Sequence, residues 1–136
     1  MKRQRATVIV EIDRRLLLVE NRGGLLLLPG GGIQPGETRL RAAERELLEE
    51  TGLTADSLLF LFQYHSATNC HHVFWAAVAG TPRADDDAIA LHWLADDDSE
   101  PLEKMSLASR QIVERFRALR HAQPMLASAI PAGDAE

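Results

Sequence analysis

A glycine-rich loop followed directly by a glutamate-rich helix constrains this chain more than any other feature. Residues 29–36 read PGGGIQPG, which predicts a loop because glycine and proline interrupt regular structure. Thr38 is a suitable N-cap, and Gly52 stands where a left-handed C-cap belongs. These two ends predict a helix that begins at residue 37 or 38 and ends at residue 51. Any fold for this chain must accommodate this loop-helix-loop segment.

The segments around this unit predict a β-rich domain with one further helix. Six runs of β-branched or aliphatic residues predict strands, at residues 7–12, 15–19, 25–28, 57–65, 71–78 and 88–94. The four leucines at 25–28 are typical of a strand buried on both faces. Apolar residues at near-helical spacing predict a last helix over residues 106–120. We expect one domain over residues 1–121 and a flexible tail over residues 122–136.

Composition and charge exclude several classes of protein. The chain has 136 residues, 46% of them hydrophobic, which is enough for one buried core. Twenty acidic residues against 15 basic ones give a net charge of −5, which disfavours duplex nucleic acid as the main partner. A small phosphorylated ligand stays open, because a bound cation can reverse the local charge. The single cysteine, Cys70, excludes a disulfide framework, and the apolar run at residues 6–10 is too short for a signal sequence or a membrane span. A cytoplasmic protein is therefore expected.

Three glutamates on the predicted helix lie within one arc of its surface. Glu46, Glu49 and Glu50 are spaced i, i+3, i+4, so they fall within about 100°. The stripe beside them is predicted to contact the core, through Leu40, Ala43, Leu47 and Thr51. The three carboxylates repel one another and lie toward the negative end of the helix dipole. Mg²⁺ would relieve this repulsion, because it prefers carboxylate oxygens; an ordinary solvated face is the alternative.

The wider spacing of the motif favours the functional interpretation. Its fixed positions are Gly31, Glu37, Arg45, Glu46, Leu47, Glu49, Glu50, Gly52 and Leu53. They resemble, without a mismatch, the signature of the Nudix (MutT-like) hydrolases, G-x5-E-x7-R-E-U-x-E-E-x-G-U, where U is aliphatic. From average residue frequencies, a chance match in a chain of this size is on the order of one in ten million. The resemblance implies an α/β fold, an α/β/α sandwich around a mixed β-sheet, with the motif as its loop-helix-loop.

The resemblance also implies an activity and the residues that perform it. Family members hydrolyse a diphosphate linked to another moiety, usually a nucleoside, with Mg²⁺ or, as a substitute, Mn²⁺. The implied metal ligands are Glu46, Glu49, Glu50 and the carbonyl of Gly30. Glu37 is implied to contribute either through water or by orienting the loop. Arg45 is implied to hold the glutamates in position by charge-assisted hydrogen bonds.

The proton acceptor and the substrate contacts are less constrained by the sequence. In the family, either a motif glutamate or an acid from a distant loop accepts the proton, and the loop acids here are Asp86, Asp87 and Glu100. Arg22 precedes the leucine run, where relatives often place a basic residue against phosphate; a plain turn arginine is the alternative. Four residues could line a base-binding cleft or have core or surface roles: Gln63, His65, Asn69 and Phe74.

Two adjacent histidines and the cysteine beside them invite a different interpretation. His71 and His72 follow Cys70 directly and look like a metal-binding cluster. On a strand, however, neighbouring side chains point to opposite faces, which excludes a metal shared between the two histidines. Ordinary strand histidines are the favoured interpretation.

The leading hypothesis is a Mg²⁺-dependent pyrophosphohydrolase that acts on a nucleoside di- or triphosphate or on a nucleotide derivative. The alternative is a non-catalytic nucleotide-binding or regulatory module that kept the fold, although all the metal-binding glutamates are present. The expected partner is a small nucleotide-type molecule. The acidic balance disfavours nucleic acid but leaves capped or triphosphorylated RNA open. Related proteins are often homodimers, so a homodimer is compatible with the resemblance.

Overall fold

Seven strands and three helices make up the described part of this computed structural model, residues 1–98 and 100–122. The strands are β1 (Arg3–Ile12), β2 (Arg15–Glu20), β3 (Leu26–Leu27), β4 (Gly30–Gly32), β5 (Thr54–His65), β6 (Asn69–Ala79) and β7 (Ala90–Leu94). The helices are α1 (Arg39–Thr51), α2 (Glu100–Lys104) and α3 (Leu107–Ala122). The six predicted strands and both predicted helices are present with shifted bounds, whereas β4 and α2 were not predicted. The side chain of Glu100 and residues 123–136 lie outside the description, so the loop acid and the tail predicted there stay predictions.

The sheet is mixed, and β1 joins its two halves. β1 pairs in parallel with β6 along residues 3–10, and β6 pairs antiparallel with the edge strand β5. The other side of β1 pairs antiparallel with β4 over residues 5–7 and with β2 at its last two residues. β2 in turn pairs antiparallel with β3 and β7. β1 therefore lies between the glycine strand β4 and the histidine-bearing strand β6.

Side-chain alternation gives the sheet two apolar faces, and one long helix covers each. The cluster under α1 comprises Ala6, Val8, Val10, Leu17, Ala42, Ala43, Leu47, Leu53, Phe74 and Ala76. The cluster under α3 includes Ile9, Leu18, Leu28, Val73, Trp75, Ile112, Val113 and Phe116. We call these sides of the sheet the α1 face and the α3 face. The architecture is the predicted α/β/α sandwich, and no described helix is long and apolar enough to cross a membrane.

Helix α1 has both predicted caps. The Oγ1 atom of Thr38 accepts a hydrogen bond from the N–H of Arg41 at 3.1 Å, and Gly52 adopts a left-handed φ of 74°. The predicted apolar stripe is wrong at its first position, because Leu40 is 46% exposed while Ala42 is fully buried. The helix approaches the sheet through small alanine side chains, which leaves the leucine in the first turn outside the contact.

The leucine run forms a shorter strand than predicted. Only Leu26–Leu27 pair as β3, and Leu25 is 42% exposed instead of buried. The side chain of Asn21 closes a turn here, because its Oδ1 accepts hydrogen bonds from the N–H groups of Gly23 and Leu25 at 2.9 and 3.0 Å. This turn takes the first leucine away from the sheet before the strand begins.

The glycine-rich segment contains a strand that its composition does not predict. Gly30–Gly32 form β4, which pairs antiparallel with residues 5–7 of β1. A strand without side chains lets a neighbouring element approach its backbone closely. Here the approaching element is α1, which carries the three clustered glutamates.

Candidate metal and substrate site

The glycine strand sets how closely the carboxylates of α1 approach the sheet. The N–H of Gly30 donates a hydrogen bond to Oε1 of Glu50 at 2.9 Å. At Gly31, a Cβ atom would overlap the carboxylate of Glu46, so only glycine leaves room for that group. Gly30 has a φ of 155°, and a Cβ there would collide with the carbonyl oxygen of Ala6. Two carboxylates one helical turn apart therefore lie against two successive glycines.

Arg45 links the loop to the helix through five hydrogen bonds. Its Nε and Nη2 atoms donate to the two carboxylate oxygens of Glu37, at 2.7 and 2.9 Å. Nη1 donates to Glu46 at 3.0 Å and to Glu49 at 3.2 Å, while Nη2 also reaches the carbonyl of Gly32 at 3.1 Å. A planar guanidinium can hold several acceptors at once, which an ammonium group cannot match. One side chain thus contacts three of the motif glutamates and the glycine strand.

Glu37 is the glutamate whose carboxylate is most strongly stabilised as an anion. The Arg45 guanidinium, helped by a hydrogen bond from the N–H of Gln34 at 3.0 Å, holds the pKa of Glu37 at about 2. The pKa of Arg45 is raised by the same pair. Both oxygens of Glu37 accept hydrogen bonds within the protein, which leaves this carboxylate committed to the loop.

Glu46 and Glu50 lie in the opposite electrostatic situation. Burial raises the pKa of Glu50 to about 7, with the charges of Glu46 and Asp87 acting in the same direction. Burial also raises the pKa of Glu46, against the opposing effect of Arg45. Negative charge is therefore unfavourable at these two carboxylates in the protein alone, and a cation between them would stabilise it.

The acidic loop that follows β6 is attached to the end of α1. The N–H of Arg83 donates to the carbonyl of Thr51 at 2.8 Å, and the N–H of Asp85 donates to the carbonyl of Glu50 at 3.0 Å. These bonds satisfy carbonyls that the last turn of a helix leaves without intrahelical partners. They also bring Asp87 close enough for its charge to act on Glu50. Of the predicted loop acids whose side chains are described, Asp87 is the one for which this effect is resolved.

Arg5 is a charged residue of this region that the sequence prediction missed. It lies on β1 between Gly32 of β4 and His71 of β6, and it is partly buried. Burial lowers its pKa, while the carboxylates of Glu50 and Glu46 act against that shift. The predicted strand began at residue 7, so Arg5 was assigned to no element. The strand in fact continues toward the N-terminus to residue 3, and a basic residue inside it would have been the signal for Arg5.

The residues predicted to contact substrate are not brought together. Arg22 lies in the exposed turn before β3, and Phe74 is a core residue only 1% exposed. Gln63 and His65 are exposed on β5, so β6 and β1 separate them from the glycine strand. Asn69 begins β6. Gln63 and His65 therefore lie away from the carboxylate cluster, and the base-binding cleft stays a prediction.

The two adjacent histidines point to opposite faces of the sheet, as predicted. The Nδ1 atom of His71 lies 2.9 Å from Oγ1 of Thr7, and the Nε2 atom of His72 lies 2.7 Å from Oε1 of Gln4. Thr7 and His71 belong to the α3 face, whereas Gln4 and His72 belong to the α1 face. No single metal ion can bind both imidazoles in this arrangement.

The carboxylate cluster fits a hard divalent cation by the chemistry of its donors. Within residues 1–98 and 100–122, no three His, Cys, Asp or Glu side chains already form a closed set of metal ligands. Mg²⁺ does not require one, since it keeps several waters and uses one or two carboxylates together with substrate phosphates. The oxygen donors of Glu46, Glu49 and Glu50 match that preference, and the raised pKa values of Glu46 and Glu50 mark the place where a cation would stabilise charge.

Comparison with known proteins gives consistent matches over most of the chain. The family model described as NUDIX domain matches residues 1–116. Over 101 residues, 70% of its length, the chain is 33% identical to a protein of Bacillus subtilis (strain 168), and it covers 68% of that protein. The name of this relative provisionally describes it as an 8-oxo-dGTP diphosphatase. Over 107 residues, 72% of its length, the chain is 36% identical to the oxidized purine nucleoside triphosphate hydrolase of Danio rerio, and it covers 68% of that protein. A crystal structure from Chromobacterium violaceum, provisionally described as a nudix hydrolase family member, superposes with a TM-score of 0.83 at 28% identity. That match covers 96% of this chain and 91% of the other.

Proposed function

The chain belongs to the Nudix hydrolase family, and from that premise we propose that it cleaves a diphosphate linkage in a nucleoside di- or triphosphate or a nucleotide derivative. The observation that carries this proposal is the joint placement of the motif carboxylates. Glu46 and Glu50 lie against Gly31 and Gly30, while Arg45 bonds Glu46 and two further motif glutamates. A face of solvated glutamates would need neither the glycines nor the shared arginine.

Mg²⁺ is the proposed cofactor, with Mn²⁺ as a substitute. Glu46, Glu49 and Glu50 would hold it, together with the carbonyl of Gly30. When bound, the ion supplies charge neutralisation on the phosphate oxygens and makes water nucleophilic near neutral pH. The same chemistry explains why two half-buried carboxylates lie next to each other despite their repulsion.

Two motif residues act by positioning the ligands. Arg45 holds Glu46 and Glu49 toward the glycine strand by charge-assisted hydrogen bonds. Glu37 holds Arg45, since both of its oxygens accept hydrogen bonds from the guanidinium. These bonds support the loop-orienting role for Glu37 over contribution through water. Gly52 ends the helix so that the loop at residues 80–88 can reach it.

Asp87 is the proposed proton acceptor. It lies on an exposed loop that is hydrogen-bonded to the C-terminal carbonyls of α1. Its charge acts on Glu50, which supports a role for Asp87 at the edge of the carboxylate cluster. An exposed carboxylate beside a metal site can take a proton from attacking water and release it to solvent.

The relatives support a nucleoside triphosphate as the substrate. The two curated proteins carry names that refer to 8-oxo-dGTP and to oxidized purine nucleoside triphosphates. A small soluble nucleotide also agrees with the acidic net charge of −5, which disfavours long nucleic acids. The product pair would then be a nucleoside monophosphate and pyrophosphate.

A release assay over a nucleotide panel tests the proposal. The panel contains canonical and oxidised dNTPs, nucleotide sugars, NADH, dinucleoside polyphosphates and a 5′-triphosphorylated oligonucleotide, each with and without Mg²⁺. We expect metal-dependent cleavage of at least one nucleotide, with a clear preference, followed as pyrophosphate or phosphate release from the triphosphates and as nucleotide product formation from NADH, nucleotide sugars and dinucleoside polyphosphates. A folded protein that binds nucleotide but releases nothing would instead favour the non-catalytic module.

A further inference from the structure

Buried polar side-chain atoms without a hydrogen-bond partner are concentrated on one strand. Within the described residues, four such atoms are found: Asn69 Oδ1, His71 Nε2, His72 Nδ1 and Trp75 Nε1. All four belong to β6. Residues 69, 71 and 75 alternate onto the α3 face, so three of the four atoms share one side of the sheet. The α3 face of β6 therefore carries three buried side-chain atoms that have no partner within the described residues.

These unpaired atoms on β6 require an explanation, because buried polar groups in folded proteins nearly always have hydrogen-bond partners. Leaving one unpaired gives up most of the hydrogen bonding that water supplied before folding. His71 is only 7% exposed and Trp75 only 2%, so bulk water does not compensate them in full. A ligand that enters from this side with its own donors and acceptors would supply the missing partners.

The register of the sheet places these unpaired atoms of β6 two strands away from the glycine strand β4. Arg5 pairs with Gly32 on one side and with His71 on the other. Adjacent strands lie about 4.8 Å apart, so two steps put His71 roughly 10 Å from the glycine strand. The charge of Arg5 acts both on Glu50 and on His71. Arg5 therefore lies within electrostatic reach of both the carboxylate cluster and His71.

His71 is held in a single orientation, and one of its ring nitrogens has no hydrogen-bond partner. The hydrogen bond between its Nδ1 and Oγ1 of Thr7, at 2.9 Å, fixes the ring and leaves Nε2 unpaired. Burial, together with the charges of Arg5 and His72, lowers the pKa of His71 to about 4, so the imidazole is neutral near pH 7. The ring of Tyr64 lies 6.1 Å away at a tilt of 58°. A neutral, fixed hydrogen-bonding atom beside an aromatic ring suits an uncharged heterocycle better than a phosphate.

We propose that His71 selects the base of the substrate, with its Nε2 atom hydrogen-bonded to a polar edge of the nucleobase, while Arg5 binds a phosphate oxygen between that base and the carboxylate cluster. This inference rests on the proposed function, because it names the residue that distinguishes one nucleotide from another. It replaces Gln63 and His65, which pair with His72 and Cys70 and therefore lie on the opposite face of the sheet from His71.

His72 provides a matched control for testing this role. It neighbours His71 and is buried to nearly the same degree, at 8% exposed, but it belongs to the α1 face. Values of kcat and KM are measured for wild type, His71→Leu, His71→Gln and His72→Leu on triphosphates that differ only in the base. We expect His71→Leu to reduce the preference between best and worst base about tenfold, mainly through KM, because one hydrogen bond is lost. His71→Gln should restore part of the preference, and His72→Leu should keep the wild-type ratio.

A binding measurement keeps the inference testable where a variant does not fold or no nucleotide is hydrolysed. The chain has two tryptophans, and Trp93→Phe leaves Trp75, which shares the α3 face with His71, as the single indole. A saturating nucleoside monophosphate should then change the Trp75 fluorescence. Binding without any fluorescence change, or unchanged base ratios in His71→Leu, would overturn the inference while leaving the proposed hydrolysis intact. A silent hydrolysis panel with a fluorescence response would overturn the hydrolysis and retain the base site.

Discussion

The two halves of the site differ in how their polar groups are satisfied. Around the glycine strand, three motif glutamates bond to Arg45, and Glu50 accepts the N–H of Gly30. On the α3 face of β6, three buried polar atoms, including Nε2 of His71, have no partner within the described chain. The protein itself fixes the positions of the carboxylates in the first half, whereas in the second half the buried polar atoms are left for a ligand to pair.

This difference follows from the cost of burying charge. An ionised carboxylate without a partner is far more costly to bury than a neutral imidazole or amide. The metal-binding half must therefore be organised before any ligand arrives, and Arg45 does this for Glu37, Glu46 and Glu49. Neutral groups can stay unpaired until the substrate binds. A buried group that is paired only by the correct substrate then discriminates between substrates. Catalytic and selective roles are thus separated onto two sides of β1.

The largest effect is expected from Glu50→Gln. Loss of one carboxylate removes a metal ligand, and metal ions supply several kcal/mol of transition-state stabilisation, so kcat should fall on the order of 10³-fold. Stability should not fall, because the substitution removes the repulsion that acts on Glu50 from Glu46. Steady-state kinetics and thermal unfolding measure both quantities.

Glu44→Gln is the control for this loss. Glu44 lies on the same helix, but its side chain is 44% exposed and its salt bridge is to Arg41. Its removal should leave kcat within about twofold of wild type, since isolated surface pairs contribute little. Equal activity of Glu50→Gln and Glu44→Gln would remove Glu50 from the metal site.

A second test separates two neighbouring glycines. Gly31→Ala places a methyl group where the Glu46 carboxylate lies, whereas a Cβ at Gly32 meets nothing within 4 Å. The displaced group is the mobile end of a side chain, so Gly31→Ala should retain its stability. Activity should fall about 10- to 100-fold, the usual cost of misplacing a metal-site ligand. The kcat values of Gly31→Ala and Gly32→Ala are compared with that of wild type. Equal losses in the two variants would contradict the proposed placement of Glu46.

Arg45→Lys tests the organising role of the guanidinium with a smaller change. Lysine keeps the positive charge but cannot hold both oxygens of Glu37 and reach Glu46 at the same time. We expect kcat to fall about tenfold and the apparent metal affinity to weaken, while KM for the nucleotide changes little. Arg41→Lys on the exposed side of the helix should be neutral. A change confined to KM would instead indicate that Arg45 contacts the substrate.

The metal-binding half was predictable from the sequence because its signals are local. Thr38 and Gly52 mark the ends of α1 through bonds within four residues, and both caps are present. The spacing of Glu46, Glu49 and Glu50 requires only helical geometry to gather them on one arc. Such features need no knowledge of which distant segment packs against the helix.

The substrate half was not predictable, because strand pairing creates it. Arg5 and His71 are adjacent only through the parallel register of β1 with β6, which joins residues 66 positions apart. Nothing local in the run Gly30–Gly32 reveals that it pairs with β1. The sequence instead favoured Gln63 and His65 for the base cleft, and only the pairing of β5 with β6 places these two on the face opposite His71.

The smallest effect is expected at Ser109, which connects α3 to the start of the glycine strand. Its Oγ atom accepts a hydrogen bond from the N–H of Leu28 at 3.0 Å, and Ser109 is only 4% exposed. Ser109→Ala should lower the free energy of unfolding by about 1–3 kcal/mol, because a buried N–H loses its partner. Activity should stay within about twofold, since Arg45 and Glu37 organise the carboxylates independently of α3. Denaturant unfolding compares this variant with Ser57→Ala on the exposed face of β5, for which a change of less than about 0.5 kcal/mol is expected. A large loss of activity in Ser109→Ala would show that the two halves are coupled through Leu28, and the separation of roles argued above would then fail.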